Sequence, residues 1–295
     1  MIKNILCPVD RSPSSLQAFS YAIALARWQG ARLNLLEVIE SVVPTGRRRI
    51  PEDGRVPTET RAALERDLRR VLAARRASDV TVEIFMRRGN VVQEILAQAK
   101  ASRADLVVIG SHGRGGVQRL VLGSVAEKVL RLATCPVLTV RRGVRVARRS
   151  RSPRSILCAT DFSAAANRGV AYAKRLAKEA NAKLVVMHAV EWPFEDAMTQ
   201  GAVAELRTSV ESSARDKLDR LLPRSNPGGP GAHAVVTFGK ASAAIVKLAR
   251  AISAELIVMG VSGRGAADMA LLGSTTHRVI REGTWPVLTV RTVTR

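Results

Sequence analysis

The sequence writes one domain twice. Residues 110–124 read GSHGRGGVQRLVLGS and residues 260–274 read GVSGRGAADMALLGS, both with the spacing G-x2-G-x9-G-S. The anchors are Gly110, Gly113, Gly123 and Ser124 in one stretch, and Gly260, Gly263, Gly273 and Ser274 in the other. Ile5-Leu6-Cys7 returns as Ile156-Leu157-Cys158, Asp10 as Asp161, and TCPVLTVR at 134 as TWPVLTVR at 284. Landmarks in one order at almost the same interval, 150 or 151 residues, mean tandem copies. Half of a 295-residue chain is long enough to bury its own core. This places one domain over 1–143, a second over 155–295 and a linker over 144–154.

Within each copy the periodicity alternates. In the first, residues 2–9 suggest a strand, 12–29 a helix, 31–39 a strand, and 58–77 a charged helix after a Pro/Gly/Arg-rich stretch, 44–57. A strand over 79–86, a helix over 90–102, the apolar strand 104–110, a helix from Ser124 and a strand over 136–140 complete it. The second copy repeats this, with strands ILCA, AKLVVMHAV, AHAVVTF, AELIVMG and PVLTV and helices from Ser163, near 198–222, and from Ala241 and Ser274. A loop is expected over 223–231 (PRSNPGGPG). Five strands separated by helices imply an α/β fold with a parallel sheet covered on both faces.

Charge and cysteines narrow the setting. The net charge is +22, with +11 on residues 1–143, +6 on 155–295 and +5 on the acid-free linker. Such a balance favours polyanions, and the linker is a candidate contact for nucleic acid or an anionic membrane. Aromatics are only 3% of the chain, too few for a base-stacking platform. No apolar run approaches the roughly 18 residues that span a bilayer. Pro8 and Asp10 interrupt the amino end before any stretch of leader length, so no signal peptide is expected. Three cysteines without C-x-x-C spacing argue against a disulfide framework or zinc ribbon, and Cys7 and Cys158 read as core hydrophobes. A cytoplasmic location is the expectation.

In a doubly wound sheet, ligands bind at the carboxyl ends of the strands, where the winding reverses. Two elements of each copy are expected to meet there: Pro8-Val9-Asp10 or Ala159-Thr160-Asp161, and the glycine loop leaving the fourth strand. Glycines let backbone N–H groups converge on an anion, so a Cβ would block approach or strain a positive φ. The loop runs into Gly123-Ser124-Val125 or Gly273-Ser274-Thr275 at a helix start, which favours phosphate. Ser124 and Glu127 also have capping-box spacing, whereas the second copy has His277 in place of the acid. Asp10 has a competing turn role, His112 lacks a partner at metal-ligand spacing, and His188 reads as structural. Arg114 and Arg264 lie inside the loops, where phosphate contact and solvent exposure are both open.

The loop is neither a Walker A nor a G-x-G-x-x-G motif. With the glycine spacing, the apolar strand before it and CPVLTV after it, the chain resembles a tandem member of the universal stress protein family. That resemblance implies two Rossmann-like, adenine nucleotide alpha hydrolase-like domains with strand order 3-2-1-4-5. It implies ATP as the ligand, since family members that bind ATP have the full glycine motif. Asp10, Asp161, Val38 and Val190 would then lie on the adenine side. Gly110, Gly113, Gly123 and Ser124, with Gly260, Gly263, Gly273 and Ser274, would hold ribose and phosphates. Mg²⁺ brought in by the phosphates is compatible with such a site. The resemblance further implies a pseudo-twofold pairing of the two copies through their last strands, and allows a homodimer of chains.

Hydrolysis needs a placed water, an orienting base and charge stabilisation, and no such set stands near either loop. The sequence therefore reads as an ATP-binding regulatory stress-response protein with no catalytic residues and no metal ligands. A slow ATPase switch and a basic interaction protein are the alternatives.

Overall fold

The computed structural model describes residues 2–40, 58–74, 77–112, 122–144, 152–191, 200–222, 231–261 and 272–291. The chain divides into two compact units, Met1–Arg151 and Ser152–Arg295. Linker residues 145–151, the 44–57 stretch and most of the 223–231 loop lie outside the described residues. No described helix is long and apolar enough to cross a membrane.

The first unit runs β1 (Asn4–Val9), α1 (Pro13–Gln29), β2 (Arg32–Glu40), α2 (Thr58–Ala74), β3 (Val82–Gly89), α3 (Val91–Ala101), β4 (Leu106–Gly110), α4 (Ser124–Leu132) and β5 (Val137–Val140). All pairs are parallel, in the order β3-β2-β1-β4-β5. The second unit runs β6 (Ser155–Ala159), α5 (Ala164–Ala180), β7 (Lys183–Val190), α6 (Gln200–Leu221), β8 (Ala232–Phe238), α7 (Ala241–Ala251), β9 (Leu256–Val261), α8 (Ser274–Glu282) and β10 (Val287–Arg291). Its order, β8-β7-β6-β9-β10, is the same winding. In each unit the chain winds outward from the first strand and then crosses to its other side, so a crevice opens at the carboxyl ends of β1 and β4, and of β6 and β9.

The central strands are apolar because helices cover both faces. Every residue of β4 is buried, and α1 presents Ala18, Phe19, Ala22, Ile23 and Ala26 to the sheet at helical spacing. Phe19 is fully buried, which contributes about 2–3 kcal/mol. Each first strand is held at its amino end by an acid preceding the fourth strand. Asp105 Oδ2 accepts the Lys3 and Asn4 N–H groups at 2.8 and 3.0 Å, and Glu255 Oε2 accepts the Arg154 N–H at 2.9 Å.

Helices α1, α3, α5 and α7 stop in the same way. The residue after each helix, or one beyond, takes a left-handed turn: Gly30 (φ 62), Arg103 (φ 48), Asn181 (φ 51) and Ser253 (φ 50). The next N–H then reaches back to the helix, as Ala31 to Ala26 O, Ala104 to Ala99 O, Ala182 to Ala177 O and Ala254 to Ala249 O, at 2.8–2.9 Å. This closure satisfies the last carbonyls and delivers the chain to the next strand.

The third strand departs from the sequence reading. It starts at Val82 rather than Asp79 and continues through Arg87, Arg88 and Gly89. The alternating pattern of DVTVEIFM continues into the preceding turn, where Asp79 serves a different partner. Arg27 of α1 donates to it through Nε (2.7 Å to Oδ2) and Nη2 (2.6 Å to Oδ1), holding the Asp79 carboxyl below its ordinary range.

Candidate functional site

The ends of β1 and β6 build identical corners. Asp10 Oδ1 accepts the Ser12 N–H at 2.9 Å, and Ser12 Oγ accepts the Ser15 N–H at 3.2 Å as the N-cap of α1. Asp161 Oδ1 accepts the Ser163 N–H at 2.9 Å, and Ser163 Oγ accepts the Ala166 N–H at 3.2 Å. The residue between aspartate and serine is left-handed in both, Arg11 at φ 63 and Phe162 at φ 62. Asp10 and Asp161 thus have the turn role that the sequence raised, as side-chain acceptors for a local backbone N–H. Thr160 belongs to the corner too: its buried hydroxyl accepts the Phe162 N–H at 3.0 Å. Pro8 and Val9 pair with Leu36 and Glu37 on the neighbouring strand, which puts Val38 one residue beyond; by the same register Val38 corresponds to Ala189, and Val190, at the end of β7, to Ile39.

The corner and the glycine-loop stem meet as expected in the first unit. Ser12 Oγ donates to the His112 carbonyl at 3.4 Å, and the His112 N–H donates to Ser14 Oγ at 3.3 Å. The Gly123 N–H donates to Ser111 O at 2.8 Å, closing the loop on itself where it leaves β4. Gly113 and Arg114, with Gly263 and Arg264, lie outside the described residues.

Gly110 and Gly260 have a packing reason of their own. A Cβ on Gly110 would lie 2.8 Å from Ser14 C and Ser15 N at the start of α1. On Gly260 it would lie 2.5 Å from Ala165 C and Ala166 Cα. The missing side chains let the helix start sit against the end of the fourth strand. Positive φ, the other reason the sequence allowed for these glycines, is absent: Gly110 and Gly260 are not among the positive-φ residues, Gly123 has φ −62 and Gly273 φ −52.

The capping box over Ser124 and Glu127 does not form. Gly123 is the N-cap of α4 and no side chain caps it, so Ser124 is already the first helical residue. The first helical bond runs from Glu127 N to Gly123 O at 2.9 Å, and Glu127 is one position too late to reach back to the cap. The second unit matches, with Gly273 as an uncapped N-cap and His277 N on Gly273 O at 2.9 Å. The N–H groups of Ser124, Val125 and Ala126, and of Ser274, Thr275 and Thr276, therefore have no partner within their helices. Among the described residues other than its chain neighbours, none has an atom within 4 Å of where a Gly273 Cβ would stand. An uncapped start beside open space fits an anion, since the helix dipole and converging N–H groups both favour one.

Two arrangements escaped the sequence reading. One is a pair packed behind the corner. Arg11 Nη2 lies 3.1 Å from Oε1 of Glu37, which is only 4% exposed, whereas the matching residues of the second unit, Phe162 and His188, stack with ring centroids 4.4 Å apart. His188 Nδ1 also lies 2.8 Å from the Thr160 carbonyl, a structural role as read. The other is a cleft of about 590 Å³ at the start of α8, where Lys240, Glu191, His277, Arg278 and Arg281 join Ser274 and Thr275. Comparing the copies position by position could have signalled both. A hollow of about 690 Å³ at the amino ends of the first unit's strands is lined by Arg27 and Arg32, each ion-paired to an acid, Asp79 and Glu83.

The three thiols are not activated as nucleophiles. Burial pushes the Cys135 thiol up to about 11, Cys158 up to about 12 and Cys7 higher still, which keeps all three protonated at neutral pH. Among the described residues no group of three or more His, Cys, Asp or Glu side chains could hold a metal.

Comparison with known proteins gives this geometry a family. The model described as the universal stress protein family matches residues 1–141 and again 153–291. A universal stress protein of Mycolicibacterium smegmatis is 28% identical over 305 residues, covering 98% of this chain and 97% of its own. Universal stress protein YxiE of Bacillus subtilis is 36% identical over 150 residues, which is 48% of this chain and 100% of its own length. Among solved structures, a universal stress protein of Archaeoglobus fulgidus shares the fold with a TM-score of 0.68 at 24% identity, covering 98% of both chains. With the family pattern complete in each half, the chain belongs to the universal stress protein family as a tandem of two such domains.

Proposed function

We propose that the chain is an ATP-binding regulatory protein of the stress response, holding one nucleotide per unit and performing little or no chemistry on it. The observation that carries this reading is the pair of uncapped Gly-Ser helix starts, each at the carboxyl edge of a parallel sheet. A phosphate chain would take the N–H groups of Ser124 and Val125, or of Ser274 and Thr275, where no side chain competes. The adenine would lie toward the Asp10 or Asp161 corner and Val38 or Val190. The nucleotide supplies the charge that these N–H groups are arranged to meet, and any Mg²⁺ would come with its phosphates. The carboxylates at the corner are committed to the turn by at least one oxygen, which argues against a base for hydrolysis there. Three free cysteines support a reducing, cytoplasmic setting.

Mass analysis of small molecules released from the purified, denatured protein tests the reading directly. Adenine nucleotide at close to two per chain is the expected result, with calorimetry of the stripped protein giving the same count. Failure to bind ATP at millimolar concentration would overturn it. Steady phosphate release on an enzymatic timescale would instead establish the ATPase alternative.

A further inference from the structure

The two units hold the start of their glycine loops differently. Up to the end of the fourth strand the backbone treats them alike: the Ser111 N–H donates to Val140 O at 3.0 Å, and Val261 pairs with Arg291 in the ladder. One residue further on, the first unit relies on side chains, and three serines converge on His112. Its N–H donates to Ser14 Oγ at 3.3 Å, its carbonyl accepts from Ser12 Oγ at 3.4 Å, and its Nδ1 lies 2.8 Å from Ser111 Oγ. Ser12, Ser14 and Ser111 are all buried.

Ser14 secures the backbone of this set. Its hydroxyl donates toward Val140 O at 3.5 Å, at the end of β5, which turns a lone pair to the His112 N–H. One buried oxygen thereby joins the start of α1, the end of β5 and the residue that precedes Gly113. Gly110 lets α1 come this close, because a Cβ there would lie 2.8 Å from Ser14 C. Aligning the corners puts Ala165 in the place of Ser14 and Val261 in that of Ser111, and neither side chain can donate or accept. The polar groups that the second corner has in addition are engaged within it: Thr160 Oγ1 accepts the Phe162 N–H at 3.0 Å, and Asn167 Nδ2 donates to Phe162 O at 3.4 Å.

We propose that Ser14, supported by Ser111, is a positioning residue of the first unit's site and sets the order in which the two sites fill, the first unit before the second. The inference rests on the nucleotide reading and adds an order of filling to it. A loop start fixed before the ligand arrives leaves less conformational freedom for binding to remove, which raises affinity without an added contact. Ser14 acts through the His112 backbone, and no side chain at Ala165 can do the same for the second unit.

The test uses the full chain, titrated calorimetrically with ATP, with the ligand-free melting temperature and the amide hydrogen exchange of His112 measured alongside. Wild type is expected to bind two ATP with unequal affinities. Ser14→Ala installs the residue with which the sister unit already folds. It should weaken the tighter site by about tenfold, the scale of a hydrogen bond replaced by an unpaired buried N–H, and leave the weaker site and the count of two unchanged. The His112 amide should exchange faster in that variant even without ligand. The reciprocal Ala165→Ser should tighten the weaker site by about threefold or more. Two equal sites in wild type overturn the order of filling and leave the nucleotide reading intact. A Ser14→Ala chain that melts lower but keeps both affinities shows a merely structural serine and overturns the proposal. A His112 amide that exchanges at one rate with and without the Ser14 hydroxyl overturns the tie itself, whatever ATP does. No ATP binding by wild type overturns the nucleotide reading and the order of filling together.

Discussion

Two glycines of one motif should separate stability from binding. Gly260→Ala puts a Cβ 2.5 Å from Ala165 C and Ala166 Cα, both backbone atoms that cannot swing aside. Either α5 or β9 must move, an overpacking cost of about 1–3 kcal/mol. For a unit of this size that lowers the melting temperature by roughly 2–12 °C. Gly273→Ser meets no atom of the described residues beyond its chain neighbours within 4 Å and has an ordinary φ of −52, and it supplies the missing cap of α8. Serine over glycine at an N-cap is worth a few tenths of a kcal/mol, so the ligand-free protein should melt within about 1 °C of wild type, on the high side. The new hydroxyl, however, takes up the Thr275 or Thr276 N–H and stands where a phosphate would come. ATP should therefore bind at one site instead of two. Scanning calorimetry without ligand and titration with ATP read the two effects separately. An unchanged melting point for Gly260→Ala would refute the packing argument. Two ATP per chain in Gly273→Ser would refute the assignment of the helix start.

The pair behind each corner should behave as a unit. Arg11→Phe leaves the buried Glu37 carboxylate without its guanidinium and should cost about 1–3 kcal/mol, while Arg11→Phe/Glu37→His, which copies the second unit, should recover much of it; urea denaturation measures the coupling. Removing the Arg27–Asp79 contact with Asp79→Asn should lower stability at neutral pH but not at pH 2. The folded Asp79 carboxyl titrates below its ordinary range, so its contribution exists above that range and fades as acid protonates it. The cysteines act in the opposite direction. Raised folded values mean stability is full below the unfolded thiol range near pH 8.5 and falls as pH climbs toward 11–12, so the urea midpoint should decline above about pH 9 and a triple Cys→Ala chain should decline less.

The repeat made the fold class legible, because alternation of apolar strands and helices, read twice, implies a covered parallel sheet; the strand order came from the family resemblance. The glycine spacing also pointed to the carboxyl ends of β4 and β9, where Gly110 and Gly260 lie. What it concealed was the division of labour inside the motif. Gly110 and Gly260 answer to a helix across the crevice, and nothing near them in sequence announces Ser14 or Ala165. Ser124 looked like a cap because its spacing to Glu127 suits one, yet the preceding glycine starts the helix a residue earlier. Lys240 went unnoticed since its neighbours in the cleft are residues 272–281, brought beside it only by the crossing from β8 to α7 and back. Asp79 was absorbed into a strand because a turn residue happened to continue the alternation.

The four helix ends make one bend with different residues on it. Gly30 fills its left-handed position without cost, but the same bend is taken by Arg103, Asn181 and Ser253. For arginine and serine such a bend costs about 1 kcal/mol or more apiece, and asparagine sits between. The hydrogen bonds from Ala104, Ala182 and Ala254 hold the bend whichever residue stands on it. The chain consequently holds an unspent thermal margin: glycine at Asn181, the counterpart of Gly30, and at Arg103 and Ser253 would raise the temperature at which it survives without touching either glycine motif or aspartate corner.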